Sequence, residues 1–178
     1  MWALVEDNNV TQVFTRPKAL TIGENQYQAN IFNLWSTSEL EALGIYEVVV
    51  NNTNLKDKEY YVNTNQIFAF SGGTVTASYG TATAKDLDDL KTEHKEKINA
   101  QAGSLLAQYD WYTLRAADGG TAVPSNVATY RTAVRTKANE MCTKIDAAAD
   151  VDKLADLYLP TGNPPPVDRL GDWPTLGS

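Results

Sequence analysis

Hydrophobic and polar positions change period once along the chain, near Thr83. Up to that point short runs of β-branched and aromatic residues alternate with clusters of Asn, Gly and Asp, the pattern of strands joined by tight turns. Trp2 to Glu6 and Val10 to Phe14 flank Asp7-Asn8-Asn9 as one hairpin. Lys18 to Ile22 and Gln26 to Phe32 flank Gly23-Glu24-Asn25 as a second. Glu59 to Val62, Gln66 to Phe70 and Thr74 to Tyr79 form a third set, with turns at Asn63-Thr64-Asn65 and Ser71-Gly72-Gly73. Asn and Gly tolerate the positive φ that such turns require. One helix interrupts the strands: Ser36 and Glu39 have capping-box spacing, and Gly44 stands where that helix stops. Tyr46 to Val50 then resumes as strand.

From Ala84 to Leu159 the period is that of helices. Leu87, Leu90, His94, Ile98, Ala102 and Leu105 form one apolar stripe over about twenty residues. Val127, Tyr130, Val134, Ala138, Met141 and Ile145 form a second, with Ser125 as its N-cap. A short third helix follows Asp150, with Val151, Leu154 and Leu157 on one side. Between the long helices lies Tyr109-Asp110-Trp111-Tyr112, then Asp118-Gly119-Gly120 and Pro124. Asp110 caps a short helix from Trp111, glycine reverses the chain, and proline blocks helix ahead of the next start. Trp111, Leu114 and Tyr112 are expected to wedge into the groove between the two stripes. The competing reading is a ligand or partner surface built on Tyr109, Trp111 and Tyr112.

The last 19 residues hold five of the seven prolines, and Pro164-Pro165-Pro166 favours an extended chain. The expected organisation is therefore α+β: an N-terminal antiparallel β module (1–83), an antiparallel helical hairpin (84–159) and an extended Pro-rich tail (160–178).

Charge narrows the partners. A net charge of −7 and a pI of about 4.7 argue against nonspecific binding to nucleic acid or to an anionic membrane. No apolar run approaches the roughly 20 residues of a membrane helix, and MWALVEDNNV has no basic start or long apolar run, so it does not read as a secretory leader. The single cysteine, Cys142, fits a reducing cytoplasm.

Chemistry is sparse. Nucleophilic catalysis needs an imidazole beside its nucleophile, and the one histidine, His94, lies on an apolar stripe where packing is its ordinary role. Cys142 follows Met141 in mid-helix and reads as a small core or boundary residue. One Cys and one His do not make a four-ligand zinc site. Asp86 to Asp89 lacks the spacing and glycine of a calcium loop and suits a first helical turn, where the dipole favours acids. Neither Gly72-Gly73 nor Gly119-Gly120 has the context of a phosphate loop. Arg131, Arg135 and Lys137 read as a solvated face. No cofactor, metal or catalytic residue is expected, although any two acids can meet in space to hydrolyse a glycan.

Three phrases carry a resemblance. Trp111-Tyr112-x-x-Arg115-Ala116-x-x-Gly119-Gly120-Thr121-Ala122-Val123-Pro124, followed by Tyr130-Arg131-x-x-x-Arg135, resembles a phrase of small bacteriophage tail proteins of the tail-fibre assembly or tail accessory type. Glu39-Leu40-Glu41-Ala42-Leu43-Gly44-Ile45-Tyr46 looks like an N-terminal phrase of the same proteins, and Arg169 to Pro174 looks like the ending of marine phage relatives. The resemblance implies a virion tail protein, made in the host cytoplasm, that works by protein–protein assembly and has other tail proteins and further copies of itself as partners. It implies no catalytic residue, nucleic acid or membrane. The alternatives are a fibre-assembly chaperone absent from the particle, a glycan-binding module and a glycan hydrolase. Trp2, Trp35, Tyr158 and Trp173 are the expected partner contacts, Trp173 either folding back on its own domain or docking on another chain.

Overall fold

The computed structural model describes residues 1–159 and 169–177 and divides into two compact units, Met1–Thr83 and Ala84–Ser178. The chain is a mixed α+β protein, with a sheet in the first unit and helices in the second. Pro160, Pro164-Pro165-Pro166 and the rest of 160–168 lie outside the described residues.

The first unit begins with β1 (Trp2–Glu6) and β2 (Asn9–Phe14), paired antiparallel. Their turn puts Asp7 and Asn8 at φ of 49° and 62°, a conformation these short polar side chains tolerate. Next come β3 (Leu20–Ile22) and β4 (Asn25–Tyr27), which form a separate two-stranded sheet. Helix α1 (Ile31–Leu34) follows where the sequence pattern continued the strand to Phe32. Ile31 and Phe32 are both buried there, which a single strand face does not allow. Helix α2 (Thr37–Ala42) carries the expected capping box: the Glu39 N–H donates to Ser36 Oγ at 3.4 Å, and the Ser36 N–H donates to the Glu39 carboxylate at 2.8 Å. The Ser36 hydroxyl, donating to the Glu39 carboxylate at 2.7 Å, and then the Ser36 N–H hold the Glu39 carboxyl below its ordinary value.

Strands β5 (Ile45–Asn51), β7 (Gln66–Ser71) and β8 (Thr74–Tyr79) complete a sheet of order β2-β1-β5-β8-β7, while β6 (Tyr61–Val62) pairs with β9 (Thr83–Ala84). Two expectations are corrected here. The module is not purely antiparallel, because β5 and β8 run parallel from Val48↔Val75 to Asn51↔Ser78. Nor is Asn63-Thr64-Asn65 a hairpin turn. The Asn63 side chain instead clasps Lys56, accepting from its N–H at 2.9 Å and donating to its carbonyl at 2.7 Å.

The edge strands β2 and β7 approach each other, so the sheet curls around one of its faces. Ala3, Val48, Val75 and Ala77 pack on that face with Phe68 and Phe70. Leu4, Phe14 and Ile45 point to the opposite face, which α1, α2 and the β3–β4 pair cover with Phe32, Leu40 and Leu20. Strand alternation thus feeds two apolar clusters.

The second unit contains α3 (Leu87–Ala107), α4 (Asp110–Ala117), α5 (Ser125–Ala147) and α6 (Val151–Asp156). Both stripes are buried: Leu90, His94, Ile98 and Ala102 on α3, and Val127 through Ile145 at helical spacing on α5. The start of each long helix meets the end of the other. Lys95, early in α3, bridges to Asp146 at 2.7 Å, and Arg131, early in α5, donates to the Leu106 carbonyl at 2.8 Å. Caps differ from expectation at two places. Pro124, not Ser125, is the N-cap residue of α5. Asp110 begins α4 rather than capping it, and its carboxylate pairs with Arg131 at 2.8 Å. Arg131 is therefore enclosed by two partners rather than solvated.

Candidate assembly surface

Helix α4 buries no residue. Trp111 is 50% exposed and Leu114 66% exposed, so the expected wedge does not exist. The groove position belongs instead to Tyr109, whose ring meets Tyr130 edge-on at 5.3 Å between centroids.

What α4 presents outward is a stack. The rings of Trp111 and Tyr112 lie 3.7 Å apart, tilted by 29°. Arg115, four residues past Trp111 and three past Tyr112, comes over both rings, 5.0 Å and 5.3 Å from their centroids. Helical spacing dictates this approach. The turn after the helix then closes over the same arginine. Gly119 has φ of +81°, and the Gly120 N–H donates to the Arg115 carbonyl at 3.0 Å. A Cβ at Gly120 would stand 2.9 Å from Arg115 Cγ. Arg115 Nε is buried and meets no hydrogen-bond acceptor among the described residues. Aromatic faces and a glycine turn thus enclose the Arg115 side chain.

Trp, Tyr and Arg are the residue types that dominate protein–protein hot spots, because a large rigid surface is offered at little entropic cost. Each cation–π contact at an exposed site is worth about 0.5–1 kcal/mol, enough to pre-order the surface before a partner arrives. The sequence carried this signal in the Trp111-Tyr112-x-x-Arg115 spacing; Arg115 and Leu114 had no place among the expected contacts.

The four expected contacts fall differently. Trp2 is half-buried, its ring 5.0 Å from Phe32. Trp35 meets Tyr27 edge-on at 5.9 Å and stays exposed. Tyr158 covers the buried His94 at 4.7 Å and keeps an outer face. Trp173 is half-buried against its own unit, its indole N–H donating to Gln101 Oε1 at 3.1 Å.

Two groups have acidities shifted by their surroundings. The Cys142 thiol is pushed up by burial and by the Asp146 carboxylate, with Lys95 pulling it partly back. Burial, aided by Glu59 and Asp57, pushes the Tyr60 phenol up to about 12. Among the described residues no three His, Cys, Asp or Glu side chains gather as metal ligands, and no helix is long and apolar enough to cross a membrane. Compared with protein-family models, with curated proteins and with solved structures, the chain matches none.

Proposed function

We propose that the chain is a tail-associated structural protein of a bacteriophage, an adaptor or accessory subunit that works by shape-matched protein contact. In this reading the antiparallel hairpin of α3 and α5 is a rigid body, α4 is its contact face, and the Pro-rich end is a strap towards neighbouring tail proteins and further copies of the chain. It is made in the host cytoplasm and resides in the virion tail. The observation that carries the reading is the stack of exposed Trp111 on half-buried Tyr112 and Arg115, beside exposed Leu114, on a helix with no buried residue. Support also comes from the sequence phrases, since the Gly119-Gly120 of the tail-protein phrase is the turn that fixes Arg115.

A fibre-assembly chaperone would use the same face and then depart. Quantitative mass spectrometry of purified particles separates the two roles. The structural subunit is present at a fixed ratio to the major tail proteins. A chaperone is made during infection and missing from the particle.

A further inference from the structure

We infer that the cavity enclosed by α3, α5, the turn after α6 and the segment Arg169–Trp173 is a binding site for a small aromatic monocarboxylate. The inference goes beyond the assembly reading and does not depend on it.

The chain's own end builds one wall of the site. Leu170 is buried, and its N–H donates to the Leu157 carbonyl at 3.2 Å. The Lys144 ammonium donates to the Arg169 carbonyl. Trp173 is tied to α3, its indole N–H donating to Gln101 Oε1 at 3.1 Å. Between these ties lies a cavity of about 290 Å³. Buried Ile98, Met141 and Leu157 form its apolar side, and the rings of Tyr158 and Trp173 border it. An apolar cavity of about 150 Å³ takes one benzene ring. This one has room for a ring system with a polar arm.

Charge selects the arm. Lys97, Arg169 and Asp172 also border the cavity, two cations against one carboxylate. In a chain of net charge −7 this is a local excess of positive charge, and it suits an anion with a single charge. Lys97 and Gln101 stand four residues apart on α3, so helical spacing brings both to the same side. The Gln101 amide oxygen is engaged by Trp173, which leaves its NH2 to donate.

The third observation is Arg169 itself. Its Nε is buried and meets no hydrogen-bond acceptor among the described residues. A buried donor left without an acceptor is costly. A carboxylate oxygen satisfies it, in the charge-assisted and often two-pronged geometry that guanidinium favours. A phosphate monoester would set a second negative charge against Asp172. An aliphatic acid would make less of the aromatic border.

The test uses the full chain with 2-naphthoate as the probe. The chain has two methionines, Met1 at its start and Met141 at the cavity. With both methyl groups labelled with carbon-13, titration should shift the Met141 resonance and leave that of Met1 in place, with a Kd on the order of 100 μM. The neutral isostere 2-naphthylmethanol should bind at least about tenfold more weakly. Arg169→Gln should bring the acid to within about twofold of the alcohol. Should that variant lose both ligands, Lys97→Gln, on α3 rather than on the segment, provides the second reading and should narrow the gap at least about twofold. A Met141 resonance that stays put at about 2 mM 2-naphthoate, an alcohol bound as tightly as the acid, or a gap that neither variant narrows would overturn the inference. Because the isolated chain is measured, this result is independent of whether particles contain the protein.

Discussion

Gly44 and Val5 meet backbone to backbone: the Val5 N–H donates to the Gly44 carbonyl at 2.8 Å, and a Cβ on Gly44 would stand 2.6 Å from the Val5 carbonyl oxygen. The contact joins the end of α2 to β1. Gly44 has φ of +78° and ends α2 with its N–H on the Glu41 carbonyl, so two constraints fall on one residue. Gly44→Ala meets the left-handed penalty and the clash together. It is expected to cost the first unit at least about 2 kcal/mol, measured by urea unfolding. An unchanged midpoint would show that the turn relaxes freely.

Tyr60 makes the same unit sensitive to alkali. Its ring is 5% exposed, and its phenol is raised to about 12 by burial, Glu59 and Asp57. A free phenol titrates near about 10, so the fold favours the neutral form. The contribution is complete below pH ~10 and is lost between there and pH ~12. An ultraviolet titration should show a late-ionising phenol that Tyr60→Phe removes, and the same substitution should flatten the alkaline fall in stability. A late part of the titration left unchanged by Tyr60→Phe would contradict this.

Cys142 is expected to react slowly. Burial and Asp146 hold its thiol above the ordinary range, leaving less thiolate at neutral pH. Iodoacetamide labelling of the folded chain should lag behind that of the denatured chain and climb with pH to a later inflection. Replacing Asp146 by Asn should bring the inflection down.

Local pattern made the long helices and most strands legible. Leu90, His94, Ile98 and Ala102 repeat at four-residue steps, and burial follows that repeat directly. The capping box of Ser36 and Glu39 needs only a three-residue spacing, and the hairpins of β1–β2 and β7–β8 needed only their turn residues. Non-local pairing was not legible. Nothing near Val48 announces a parallel partner at Val75, and nothing near Tyr61 announces β9 rather than β7. The α4 surface was misread for a related reason. Size and apolarity say that Trp111 is worth burying, but the ring that meets Tyr130 on α5 is that of Tyr109, a contact between residues far apart in sequence. Asp110 was read as a cap because its partner, Arg131, lies on another helix.

The most direct measurement counts this chain in purified particles assembled with Trp111→Ala, Leu114→Ser protein against those assembled with the parent. Both side chains lie outside the core, so the variant should lose less than about 1 kcal/mol of stability. With an assembly contact removed, copies per particle should fall at least about tenfold. Full incorporation of the folded variant, or particles of the parent that lack the chain altogether, would contradict the account.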